Sequence, residues 1–280
     1  MVILQAILLG IIEGLTEFLP ISSTGHLIVA EHALGYKDSA RLFTVVIQVG
    51  AIAAVAWYYR RDLLHRLAAT IRRETAAINF WINLIIAAVP ASLVGLALND
   101  YLDRYALPST VAVALIAGGI LLWIVEVSLP KRKVAESSNL TSTKGLDSMT
   151  RLQALAVGFA QVVSLIPGVS RSGATIVGGL LAGMSRLDAT AFSFYLGMPM
   201  LILASGYKLA NNRHDIALVS GGSPALLAGT LAAFVSALVV VGWLLKYIAK
   251  HDFKPFAYYR IIFGMLVIIL ILTGVLPNTL

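Results

Sequence analysis

Residues 13–29 read EGLTEFLPISSTGHLIV. Two glutamates, two serines, two threonines and a histidine here interrupt an otherwise apolar stretch, residues 1–35. Proline and glycine near its centre leave two pieces too short to cross a bilayer, which takes about 17–25 residues per helix. Irregular backbone at that depth is tolerated only where protein shields it or a water-filled cavity meets it. A second polar break, PGVSRSGAT at 167–175, divides the apolar stretch 152–183. Each stretch is read as a re-entrant helix pair that enters and leaves on one side.

The rest of the chain makes the bilayer the solvent. Of 280 residues, 59% are hydrophobic and only 12% charged, and the mean hydropathy is +0.87. Soluble cores do not need that much apolar surface. The absence of cysteine excludes disulfides, thiolate metal sites and a cysteine nucleophile. A net charge of +7 is better explained by basic cytoplasmic loops than by a nucleic-acid partner. The N-terminus lacks a basic n-region and a small-residue cleavage site, so no removable signal peptide is expected.

Six further stretches, roughly 42–59, 81–98, 109–129, 189–209, 224–245 and 255–276, are expected to cross. With both broken stretches re-entrant, one side receives 14 basic residues: Arg60, Arg61, Arg66, Arg72, Arg73, Lys131, Arg132, Lys133, Lys144, Arg151, Arg186, Lys246, Lys250 and Lys254. The other side keeps 5, Lys37, Arg41, Arg104, Lys208 and Arg213. Were the second break a full crossing, the count would weaken to 12 against 7. The bias places the basic loops in the cytoplasm and both termini outside. The expected fold class is an all-α polytopic membrane protein with six transmembrane helices and two re-entrant pairs. It forms one integral membrane domain over 1–280, with halves 1–130 and 151–280 joined by a polar linker, 131–150.

The halves repeat one another. A shift of 148 lays Leu4–Val29 over Leu152–Val177 without a gap, with eight identities in 26 positions, among them Gln5/Gln153, Gly10/Gly158, Ser22/Ser170 and Gly25/Gly173; Glu13 falls over Gln161. Three crossings separate the copies, so the second enters from the opposite face. Inverted repeats with broken helices at midplane are a transporter arrangement.

What the breaks can do follows from their ends. Ser22-Ser23-Thr24 after Pro20, and Ser170 after Pro167-Gly168, are good helix starts, with serine as a plausible cap. Each start presents unsatisfied N–H groups and a partial positive charge, and two aimed at one point suit a phosphate-like anion. Arg171 adds a guanidinium fork, or serves as a counter-ion to Glu13 or Glu17. Those glutamates, four apart, share a helix face. A hard divalent cation, Mg²⁺ or Ca²⁺, would reconcile them with an anionic substrate. His26, three residues after Ser23, could activate Ser23, attack phosphorus itself or activate water. Thr175 is expected to back-bond along its helix. Gln48 and Gln161 are expected to hydrogen-bond behind the site, Arg260 to snorkel to the cytoplasmic interface, Glu126 to be solvated there, and Trp57, Tyr58 and Tyr59 to anchor the interface.

At EGLTEFLPISSTGH (13–26), PGVSRSGAT (167–175), FTVVIQVGAIAAV (43–55) and FSFYLGMPM (192–200), the chain resembles the bacterial undecaprenyl-diphosphate phosphatases over essentially its whole length. The resemblance implies hydrolysis of undecaprenyl diphosphate to the monophosphate, recycling the lipid carrier of cell-wall synthesis, with some bacitracin resistance. It also implies a divalent cation and a homodimer. The expected location is the bacterial inner membrane, with the site, built from the two re-entrant pairs, opening outward. The residues it marks are Glu13, Glu17, Ser22, Ser23, His26, Ser170, Arg171 and Thr175. The expected catalytic set is Ser23, His26, Glu17 and Arg171. Ser22, Ser170, Arg171, Ser172 and Thr175 are expected to bind substrate, and Glu13 and Glu17 the metal. The rival from another class is a lipid-phosphate flippase or transporter using the same anion site.

Overall fold

The computed structural model describes residues 1–36, 38, 42–104, 106–128, 144–211 and 219–279. Lys37, Arg41, Lys131, Arg132, Lys133, Arg213 and the linker as far as residue 143 lie outside them. The described elements are helices: α1 (Val2–Thr16), α2 (Ser23–Leu34), α3 (Leu42–Tyr58), α4 (Arg60–Ile71), α5 (Thr75–Arg104), α6 (Pro108–Ser128), α7 (Lys144–Asp147), α8 (Arg151–Val163), α9 (Arg171–Leu181), α10 (Arg186–Asn211), α11 (Gly222–Ile248) and α12 (Lys254–Leu272).

Helices α5, α6, α10, α11 and α12 are each long and apolar enough to cross a membrane, and α3 reaches that length only together with α4, from which it is bent by 68°. The molecule is therefore a multi-pass membrane protein in which five of the six expected crossings are single helices and the first, 42–59, corresponds to α3. Helix α4, RRDLLHRLAATI, was not expected as a separate element. Its first turn is charged, and Leu64, Leu67 and Ile71 are exposed on one side. That combination suits a helix lying along the bilayer interface rather than continuing through it.

The broken stretches become α1 with α2, and α8 with α9. In each pair the chain returns to the end where it began. Gln5 Nε2 donates to the Leu34 carbonyl at 2.6 Å, and Gln153 Nε2 donates to the Ala182 carbonyl at 3.2 Å. Donors and acceptors are both related by the 148-residue shift. The open end of the first pair lies beside the starts of α3 and α11: Asp38 caps the Phe43 N–H, and Tyr36 bonds the Ser220 carbonyl. The open end of the second pair lies beside the start of α5, where Arg151 bonds Asn79 and Asn83.

Packing follows the same exchange. Helix α1 lies along α11 and α8 along α5, so the first helix of each half packs on the second full-length helix of the other. Equivalent glycines allow it. A Cβ on Gly10 would stand 2.2 Å from the Gly229 carbonyl oxygen, and one on Gly158 would stand 2.8 Å from the Ala87 carbonyl oxygen. The tighter approach makes Gly10→Ala the more damaging change. A loss of about 1–3 kcal/mol is expected, read as a lower melting temperature in detergent, with a smaller loss for Gly158→Ala.

Three peripheral expectations are corrected. Glu126 is not solvated: it is buried, accepts both Nε and Nη2 of Arg186 and also takes the Phe253 N–H. An apolar seam between α6, α10 and α12 leaves that carboxylate no water, so a guanidinium supplies its partners. Tyr59 is no interface anchor either, because it is buried against Tyr195 at 4.6 Å. Arg260 does not snorkel, and its environment is described below.

Candidate functional site

The two breaks are built alike. Ser22 and Ser170, each preceding a half-helix, carry φ of 71° and 72°. This left-handed backbone is costly for a residue with a side chain and collects at functional sites. Ser170 caps as expected, its Oγ accepting the Gly173 N–H at 3.1 Å. Ser22 does not: its side chain makes no cap bond, and its carbonyl instead takes His26 Nδ1 at 2.7 Å.

The next residue in each half-helix, Ser23 in one and Arg171 in the other, is again related by the shift of 148. Both reach one carboxylate. Ser23 Oγ donates to Glu17 Oε2 at 2.6 Å, and Arg171 Nη2 donates to Glu17 Oε1 at 3.1 Å. Equivalent positions of the two halves thus converge on Glu17, which is 7% exposed. A serine hydroxyl at that distance from an ionised carboxylate has a proton acceptor in place. Arg171 is fixed further by Nη1 donating to the Ser193 carbonyl at 2.9 Å, and its Nε makes no bond. Gly197 on α10 leaves room for this guanidinium, since a Cβ there would stand 2.2 Å from Nη1.

Glu13, one turn earlier on α1, is fully buried, and neither carboxylate oxygen has a hydrogen-bond partner within 3.5 Å. Charges acting on it come from Glu17, Arg171 and Glu31, and the neutral side chain of Gln48 interacts with it more weakly. A buried carboxylate without a close partner is expensive, and the chemistry that suits it is a cation. Its repeat mate Gln161 is also buried, with both amide atoms unpartnered. Among the described residues no group of three or more acidic or histidine side chains is arranged to hold a metal by itself. A hard cation could take Glu13 and Glu17 and complete its shell with phosphate oxygens and water, the usual habit of Mg²⁺.

His26 does not pair with Ser23. A carbonyl can only accept, so Nδ1, bonded to the Ser22 carbonyl, carries the proton, and Nε2 accepts from the Tyr259 hydroxyl at 2.7 Å. The ring is stacked on Phe263 and Tyr259, with centroids at 4.2 and 5.6 Å. Helical spacing put both side chains on one face, yet the glutamate from α1 captured Ser23 and aromatic rings from α12 captured His26. Thr175 back-bonds as expected, its Oγ1 lying 2.9 Å from the Arg171 carbonyl and 2.7 Å from Ser193 Oγ. Ser172 Oγ ties the breaks together by donating to the Leu19 carbonyl at 2.9 Å.

Ser193, Gly197 and Tyr259 were not singled out as site residues from the sequence, and Arg260 was expected at the interface. Arg260 is 1% exposed. The available signal for it was the Gly118-Gly119 pair in α6: a Cβ on Gly118 would stand 2.1 Å from Arg260 Nη2.

Fold and site together define a polytopic membrane protein with a buried carboxylate–guanidinium–serine centre between two broken helices, an arrangement suited to a phosphorylated lipid. The family model described as bacitracin resistance protein BacA matches residues 6–266, and the chain belongs to that family. It is similar to undecaprenyl-diphosphatase from Dechloromonas aromatica (strain RCB), 47% identical over 269 residues, covering 95% of this chain and 93% of the relative. It is also similar to undecaprenyl-diphosphatase 1 from Paraburkholderia xenovorans (strain LB400), 44% identical over 277 residues, covering 98% and 97%. A third relative is the undecaprenyl-diphosphatase of Ectopseudomonas mendocina (strain ymp), 47% identical over 266 residues, covering 94% and 92%.

Proposed function

We propose that this chain hydrolyses undecaprenyl diphosphate to undecaprenyl phosphate and phosphate, returning the lipid carrier of cell-wall synthesis to use and so opposing bacitracin. Near-full-length similarity to undecaprenyl-diphosphatases supports the reaction. The single structural observation that carries it is the convergence of Ser23 and Arg171 on Glu17. The membrane is the bacterial inner membrane, with the site opening outward. The two halves are inverted in it, a reading supported by hairpins that return to their own starting ends beside different helix starts. The protein functions as a homodimer, which sedimentation in detergent would test.

In the reaction, the lipid tail stays in the bilayer while the diphosphate meets the helix starts at Ser22 and Ser170. Ser23 Oγ attacks the terminal phosphorus and gives its proton to Glu17. The bond from that phosphorus to the bridging oxygen breaks, and undecaprenyl phosphate leaves. Water then attacks the phosphoserine, its proton going to the departing phosphate, the Oγ–P bond breaks, and Glu17 returns its proton to Ser23 Oγ. Arg171, held by Ser193, neutralises charge on the transferred phosphoryl, and the half-helix N–H groups assist. Glu17 replaces His26 as the base because Ser23 already donates to it.

Glu13 and Glu17 are the residues that would hold Mg²⁺ or Ca²⁺, and the Glu13 oxygens, buried with no hydrogen-bond partner within 3.5 Å, fit that use. The ion would supply charge neutralisation at the diphosphate. Chelator is expected to abolish turnover, and Glu13→Gln to raise the half-saturating Mg²⁺ concentration about tenfold or more, consistent with loss of one charged ligand. Unchanged Mg²⁺ dependence would remove Glu13 from the metal.

The reading is tested with purified protein in detergent, where there is no membrane to cross. Equal amounts of phosphate and undecaprenyl phosphate should appear. A flippase or transporter would release neither.

A further inference from the structure

Arg260 sits six residues into α12, almost without solvent access. Among the described residues its partners are carbonyl oxygens throughout. Nη1 donates to Pro20 at 3.2 Å. Nη2 lies 2.9 Å from the Val169 oxygen, 3.4 Å from that of Gly168 and 3.2 Å from that of Ala114. Nε points to Leu115 at 3.3 Å. Pro20 belongs to the first break, two residues before Ser22. Gly168 and Val169 belong to the second, immediately before Ser170.

Breaking a helix in a membrane leaves carbonyls without intrahelical donors, and no water is at hand to serve them. A guanidinium is the side chain with enough donors, in a rigid plane, to serve several at once. Arg260 serves carbonyls from both breaks with one plane. Its placement also works against local electrostatics. Nη1 lies so near the first turn of α9 that a Cβ on Gly173 would stand 2.9 Å away, and a cation beside a helix N-terminus is unfavourable. Packing alone does not explain a buried charge in that position.

We propose that Arg260 is a positioning residue for the hydrolysis: it fixes the two interrupted tips against each other and so sets where Ser23 and Arg171 point. It touches neither Glu17 nor the serine and acts through backbone. The proposal rests on the phosphatase reading given above. It predicts that loosening the guanidinium misaims the reacting groups while substrate still binds. A misplacement on the order of 1 Å costs about 100-fold in rate.

The test compares wild type, Arg260→Lys, Arg260→Ala and Gly118→Ala, each purified as monodisperse protein in detergent, with a short-chain prenyl diphosphate. Arg260→Lys keeps the charge and loses the fork. Gly118→Ala keeps the arginine and pushes Nη2 from its seat. Both are expected to lower kcat per folded molecule about 10- to 100-fold with KM within about twofold of wild type, because uniform binding is retained. Ethylguanidinium added to Arg260→Ala should recover part of the lost kcat. A purely structural arginine would lower only the melting temperature and the folded yield. Wild-type kcat per folded molecule in both Arg260→Lys and Gly118→Ala overturns the proposal. Should Arg260→Lys not fold, Gly118→Ala decides alone. An inactive wild type would instead overturn the phosphatase reading itself.

Discussion

Glu17→Gln is expected to reduce kcat/KM for undecaprenyl diphosphate by about 10²- to 10⁴-fold, the range a positioned general base contributes, with the loss at its upper end. The amide keeps the shape of the side chain. It cannot take a proton from Ser23, whose Oγ lies 2.6 Å from Oε2, and it offers no charge to Arg171. One substitution therefore disables the serine from the first half and unseats the guanidinium from the second. The measurement is phosphate release by monodisperse variant in detergent. Turnover within tenfold of wild type would show that Ser23 uses another base.

Arg171→Lys comes next in size. Lysine retains the charge but has no planar fork to span the Ser193 carbonyl and Glu17 together. It also leaves unfilled the space that Gly197 provides. Loss of a fixed donor to the transferred phosphoryl is expected to lower kcat by about 10²- to 10³-fold, with a smaller change in KM. Arginine serving merely as a structural counter-ion would let lysine substitute at nearly full rate, since a lysine ammonium pairs with Glu17 as well. The kcat and KM of the two proteins distinguish these roles.

Much of this architecture could be read from residue order because the membrane leaves few options. Proline and glycine within apolar stretches located both breaks, the distribution of arginine and lysine favoured a re-entrant pair over a crossing for the second, and the repeat extended that reading to the first. The repeat at a spacing of 148 proved to have structural content in side chains. Gln5 and Gln153 close their hairpins on carbonyls at the same spacing, and Ser22 and Ser170 share the same unusual backbone. Glu17, Ser23 and Arg171 came together as a site on these grounds.

What the sequence could not supply was partner choice among nearby groups. Helical spacing allowed Ser23 and His26 to pair, but three-dimensional packing placed Glu17 at one and Tyr259 and Phe263 at the other. Position near the start of the last span made Arg260 look like an interfacial residue. Only the folded chain brings the carbonyls of Pro20 and Val169 to the same point. Glu126 misled in the same manner, because the arginine that neutralises it lies 60 residues away. The bend at Tyr59 was hidden by the apolar run before it.

The account stands on Ser23 and Arg171, contributed by different halves of the chain, acting as one unit through Glu17. A double-mutant cycle measures this directly: kcat/KM for Ser23→Ala, Arg171→Gln and the double variant, on phosphate release in detergent. Groups that work as a unit lose far less together than the product of their separate losses. The double variant is therefore expected to lie within about tenfold of the worse single variant. Losses that multiply across the two substitutions would contradict a shared site.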